Sequence, residues 1–121
     1  MALEITQREA NGICILNLKG RLVLGQESAG FRTTVEKLLS SGMSSIVVNL
    51  EHTNYIDSAG LGALIEAHRT TNAKQGRFVL SNLGRNFRQA LEIARLLPMF
   101  EVFPTEAAAV DSFASKGAAG G

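Results

Sequence analysis

Two short apolar runs, SSIVVNL at 44–50 and RFVLSNL at 77–83, bracket a longer segment of helical periodicity, and that arrangement leaves few folds open. Each run is too short for a buried helix and reads as a strand. The first is apolar and β-branched at consecutive positions, as expected of a central strand covered on both faces. Between the runs, Leu61, Leu64, Ile65 and His68 form one helical stripe that reaches Lys74, where Gly76 is expected to stop it. A strand, a helix and a strand joined by short links make a crossover unit. Such units are almost always right-handed, which sets the two strands parallel.

The flanking sequence extends this core on both sides. LEITQREANGICILNLKG holds two extended segments around Asn11-Gly12, a dipeptide that tolerates positive φ at both centres of a tight turn, and so predicts an antiparallel hairpin. Phe31, Val35, Leu38 and Leu39 place a helix over residues 27–39, closed by Gly42. A third helix is expected over residues 86–96, with Phe87, Ala90, Leu91 and Ala94 inward and Pro98 beyond its end. MFEVF at 99–103 reads as a last strand, and Thr105 as the cap of a final helix through Phe113. The segment 114–121, small residues with little to bury, is expected to be a flexible tail. The fold class is therefore α/β: one domain over residues 1–113, a mostly parallel mixed sheet with a leading hairpin, and about four helices.

Composition removes several functional classes. A chain of 121 residues fits one domain. Twelve basic and eleven acidic side chains leave a formal charge of +1, so no basic field exists for nucleic acid. Cys14 is the only cysteine and the two histidines are far apart, so neither an internal disulfide nor a metal-ligand spacing appears. The amino terminus lacks the basic and apolar regions of an export signal, and no apolar run reaches the roughly 18 residues of a membrane span. A cytoplasmic protein with no membrane insertion is expected.

The stretch NYIDSAGLGAL at 54–64 sets Asp57 and Ser58 at the start of the second helix, past the carboxyl side of the sheet, where α/β proteins usually place their sites. Either residue is a preferred N-cap. If Asp57 takes the cap, Ser58 keeps a spare hydroxyl, free for modification by another protein. A catalytic serine needs a base within hydrogen-bond reach. His68 lies ten residues along the same helix, about 15 Å away. His52 is upstream, but Ile56 stands where a G-x-S-x-G elbow needs its first glycine. Gly60-Leu61-Gly62 begins like a dinucleotide fingerprint, yet Ile65 occupies the place of the third glycine, and no phosphate-cradling G-x-x-x-x-G-K-[ST] occurs. No cofactor is expected. The two glycines are expected to let the helix start pass close to the sheet or to a partner.

SSIVVNLEHTNYIDSAGLGALIEAHR resembles the central segment of the STAS family, marked by a strand, D-S-x-G-L and a helix. LKGRLVLGQESAGFRTTV is similar to the family's G-x-L segment entering the first helix, and the element order over about residues 3–113 agrees with that fold. In free-standing members that act as anti-sigma factor antagonists, the motif serine is phosphorylated by a partner that is both serine kinase and anti-sigma factor; the unmodified form binds that partner. The resemblance thus implies phosphorylation of Ser58, with Asp57, Ser58, Gly60 and Leu61 as the partner-binding surface and Gly25 and Gln26 on the same face. An alternative within binding proteins is an unphosphorylated scaffold or subunit of a stress-sensing or lipid-transport complex. The chain departs from the family at Val23, where many antagonists carry an acidic residue, at Asn49, where many carry Asp, and at Ala59, in place of a common second serine.

Overall fold

Asn11 and Gly12, at φ of 55° and 79°, supply the two left-handed positions of the hairpin turn between β1 (Leu3–Ala10) and β2 (Ile13–Leu22). This comes from a computed structural model that describes the backbone of residues 3–120 and the side chains of residues 3–114. β3 (Ser45–Ile56), β4 (Arg77–Ser81) and β5 (Glu101–Phe103) follow, each parallel to the strand before it, in the spatial order β1-β2-β3-β4-β5. β3 is central, as its apolar run predicts. The helices are α1 (Gln26–Ser40), α2 (Ser58–Ala73), α3 (Arg85–Ile93) and α4 (Glu106–Gly120).

Strand alternation divides the core in two. Leu16, Leu18, Leu22, Val48, Leu50 and Leu80 face α1, α2 and α3, meeting Phe31, Val35, Leu64, Phe87 and Leu91 in the larger cluster. The intervening residues Ile13, Ile15, Val47 and Val79 face α4, packed on Ala109 with Val110 and Phe113 at the margin. Thr105 caps α4 as expected, its Oγ1 accepting from the Ala108 N–H at 3.1 Å. The helix backbone continues to Gly120, past the Phe113 end expected for it; of the flexible tail expected over residues 114–121, the side chains beyond Ala114 and all of residue 121 lie outside the described residues.

Several boundaries differ from the sequence expectation. β3 runs on to Ile56 because β2 continues beside it, with irregularities between the Asn17/Lys19 and Gly20/Arg21 registers. The freed Leu18 carbonyl there accepts from the buried Thr53 hydroxyl at 2.9 Å. EHTNY has no apolar face, so periodicity missed this extension. α3 ends at Ile93, not at residue 96, and Ala94 is exposed rather than inward. Arg95 takes φ 60°, and the Leu96 N–H reaches back to the Leu91 carbonyl at 2.8 Å. This is a Schellman close that brings Leu96 onto the core. α1 closes the same way at Gly42, whereas in α2 the left-handed position belongs to Gln75. Gly76 is needed for another reason: a Cβ there would lie 2.4 Å from the Ser44 carbonyl oxygen. Leu97–Met99 is a 3-10 turn, which shortens the last strand, and β4 stops at Ser81 rather than 83.

The departure at Asn49 has a packing reason. Asn49 is buried on the α4 side of the sheet, donates from Nδ2 to Glu106 at 2.9 Å, and accepts the Glu51 N–H on Oδ1. The other Glu106 oxygen takes Arg8 of β1 at 2.6 Å, so this carboxylate ties α4 to two strands. Burial pushes the Glu106 pKa upward, but the bonds from Arg8 and Asn49 and the charge of Arg8 outweigh it and hold the group below 4.5. Asp at position 49 would set two carboxylates against each other. Asn49→Asp is therefore expected to cost about 1–3 kcal/mol at pH 7, with the gap to the unaltered protein narrowing in urea melts below pH 4. An unchanged midpoint at pH 7 would refute this contact.

Candidate functional site

The start of α2 is built around the Asp57 carboxylate. Asp57 is the N-cap, in extended conformation, and its Oδ1 accepts the Gly60 N–H at 2.9 Å. Its Oδ2 reaches across to the β2–α1 loop and accepts the Leu24 N–H at 3.0 Å. The Asp57 N–H completes the tie by donating to the Leu22 carbonyl at 3.3 Å. One side chain thus holds two loops from different strands in register. The bonds from Leu24 and Gly60 keep its carboxyl below the ordinary 3.8, against a smaller opposing effect of burial.

Gly60 makes this approach possible. It is buried, and a Cβ there would fall 2.1 Å from the Leu22 carbonyl oxygen. Gly62 has no such role, since the nearest atom its methyl would meet is Arg32 Nη2 at 3.9 Å. Of the two glycines expected to permit close approach, only Gly60 meets backbone of the sheet.

Ser58 follows as the first residue of α2 and is exposed. Asp57 accepts the capping bond, and the Ser58 hydroxyl makes no hydrogen bond among the described residues. Neither histidine is hydrogen-bonded to Ser58 among the described residues. His52 lies beside Lys19 of β2. His68 packs edge-on against Phe78 and Phe100, with Asn72 at 3.3 Å from its Nε2. Burial holds the His68 imidazole below its ordinary value, with Glu101 opposing.

The remaining expected residues divide. Leu61 is half-buried and packs on the main core, so only part of it is available to a partner. Gly25 and Gln26 are exposed on the loop that Asp57 holds; Gly25, at φ 110°, is the N-cap of α1 and offers no side-chain bond. Sequence reasoning missed Leu24, 76% exposed between the Asp57-bonded amide and Gly25. It also missed Ser28, whose buried hydroxyl closes the loop onto the Val23 carbonyl at 2.6 Å. The segment VLGQES signals neither: an exposed leucine before a glycine looks like the end of a strand, and Ser28 looks like a surface helix residue.

The STAS domain family model matches residues 4–109. The chain belongs to the STAS domain family. BtrV of Bordetella bronchiseptica, provisionally named an anti-sigma factor antagonist, is 26% identical over 111 residues, covering 92% of this chain and 95% of that protein. The anti-sigma F factor antagonist of Paenibacillus polymyxa is 22% identical over 106 residues, covering 88% and 91%. Among solved structures, the Bacillus antagonist SpoIIAA matches in its unphosphorylated form at a TM-score of 0.71 and 21% identity, covering 93% of this chain and 97% of that one. Its phosphorylated form matches at 0.72 and 22%, covering 91% and 99%. These structures share the STAS fold described above. No described helix is long and apolar enough to cross a membrane.

Gly60→Ala is expected to destabilise the STAS domain by about 1–3 kcal/mol, while Gly62→Ala gains about 0.5–1 kcal/mol of helix propensity. Urea melts of the two variants check the assignment, and equal shifts would remove the close approach at Leu22. Asp57→Ala lowers the thermal midpoint by about 5 °C, and Ser58→Ala leaves it within about 1 °C. Because the folded Asp57 carboxyl titrates below 3.8, its contribution is complete above that pH and fades as pH falls through the lowered value. The Asp57→Ala and unaltered melts should therefore converge in strong acid; a difference that persists there would mean that the carboxylate is not its source.

Proposed function

We propose that this STAS domain is an anti-sigma factor antagonist that binds a partner acting as both anti-sigma factor and serine kinase, and that phosphorylation of Ser58 releases it. The observation that carries this reading is the division of labour between adjacent residues: Asp57 takes the cap and the loop tie, while the Ser58 hydroxyl stands exposed and makes no hydrogen bond among the described residues. The names of the Bordetella and Paenibacillus relatives support the antagonist role. The near-equal match to both forms of SpoIIAA supports a switch that keeps the fold. Such a role places the protein in the cytoplasm.

The chemistry of release follows from charge. The kinase transfers the γ-phosphoryl group of ATP to the Ser58 oxygen; the hydroxyl proton is lost and ADP leaves. The phosphate adds about −1.5 to −2 charges at a helix amino terminus, a place that tolerates anions, so the domain stays folded. An interface fitted to a neutral hydroxyl beside Gly60 and Leu61 must then desolvate that phosphate next to Asp57. Each 1.4 kcal/mol of this cost weakens binding about tenfold.

Incubation with the cognate kinase and ATP is expected to add one phosphate, which Ser58→Ala abolishes. Partner affinity should fall from the unmodified protein and Ser58→Ala, through Ser58→Glu, to the phosphoprotein, with a total loss of at least about tenfold. Calorimetric titration of the four forms, with circular dichroism alongside, decides between outcomes. Phosphate on another residue, or equal affinities, would overturn the proposal in favour of a scaffold that Ser58 does not switch. Loss of helicity with loss of binding would mean that the phosphate acts by unfolding the site.

A further inference from the structure

Ser58, Gly62 and Glu66 follow one another along α2 at intervals of four residues, so the three positions share one face of the helix, each a turn from the next. α1 packs beside this helix, and its Arg32 reaches across to the same face. Arg32 Nε donates to Glu66 Oε1 at 2.9 Å. Its Nη2 lies 3.9 Å from the place where a Cβ on Gly62 would be. The guanidinium therefore spans the turn from Glu66 to Gly62, and the next turn of the same stripe ends at Ser58. Side chains four residues apart on a helix stand about 5–6 Å from each other at Cβ, so Ser58 is the nearest position on that face still to be reached. Neither terminal nitrogen of Arg32 has a hydrogen-bond acceptor among the described residues.

This arrangement gives Gly62, which touches no backbone of the sheet, a use of its own. A longer side chain at 62 would stand between Arg32 and Ser58; glycine leaves that turn open. The acceptors on either side are unequal. Arg32 and Glu66 are 38% and 54% exposed, and an exposed arginine–carboxylate pair contributes little. A phosphate offers three acceptor oxygens and about −1.5 to −2 charges, which the planar fork of an arginine matches. Arg32 need not leave Glu66 to meet it, since Nε serves the carboxylate and the terminal nitrogens are free.

The geometry points to Arg32 as a built-in receptor for a phosphate on Ser58, held in place by Glu66 through Nε and reaching the modified side chain across Gly62. The phosphoserine is thereby drawn down against α1, and part of its charge is met from within the domain. This inference rests on the proposed modification of Ser58, but not on which enzyme performs it.

The test places phosphoserine at position 58 during translation, so that no kinase takes part, and melts each chain with and without the phosphate. Comparing the two forms of one variant cancels the loss of the Glu66 pair. In the unaltered chain the phosphate is expected to raise the thermal midpoint by at least about 3 °C more than it does in Arg32→Gln, and to shift the Arg32 side-chain N–H resonances. Lys37→Gln removes an equal charge from the last turn of α1 and should keep the full effect. Gly62→Leu should lose most of it, because its side chain fills the turn between Arg32 and Ser58; circular dichroism checks that this variant folds. Equal phosphate effects in the unaltered chain and Arg32→Gln, unmoved Arg32 resonances, an equal loss in Lys37→Gln or a full effect in Gly62→Leu would each overturn the inference. These outcomes are separate from those of the proposed function. A kinase that modifies another residue would overturn that reading and leave these melts unchanged, whereas equal melts would remove the receptor and leave release by charge in place.

Discussion

The site depends on one carboxylate shared between two loops. Asp57 closes the first turn of α2 through Gly60 and holds the β2–α1 loop through Leu24, while the Leu22 carbonyl lies where a side chain on Gly60 would be. Remove the acid and the cap and the loop tie are lost together; enlarge the glycine and the two loops cannot meet. The face that the proposed function assigns to a partner is a by-product of that arrangement. Leu24, Gly25 and Gln26 stand exposed on one loop, and Ser58 on the other.

Under the proposed function, the same arrangement would let modification of Ser58 change recognition rather than folding. The groups that the helix start needs are supplied by Asp57 and Gly60, so the neighbouring hydroxyl has no structural duty. The large core cluster beneath is made by Leu22, Leu50 and Leu64 and their neighbours, none of which involves Ser58. A charge added above such a core meets water on one side and the helix amino terminus on the other.

Much of this was legible in the sequence because it rests on local chemistry. Asn11-Gly12 specified the hairpin, the β-branched run at 44–50 specified the central strand, and Asp57 before two glycines marked a capped helix start. What stayed hidden came from contacts between segments distant in sequence. Nothing in EHTNY announces that β2 continues beside it, and nothing in VLGQES announces that Asp57 takes the Leu24 amide. Gln75 and Arg95 end their helices in left-handed conformations, where composition would favour glycine. Asn49 reads as a departure from the family until α4 is in place and Glu106 lies against it.

The central claim is that the Asp57 carboxylate bonds both loop amides at once, leaving Ser58 unencumbered. Carbon-detected NMR titration of the Asp57 carboxyl, with the Leu24 and Gly60 amides followed in the same samples, tests it most directly. The account predicts a midpoint below 3.8, with both amide resonances moving through that same midpoint while Ser58→Ala leaves it in place. A carboxyl that titrates at or above its ordinary value, or a Leu24 amide indifferent to its ionisation, would contradict the account.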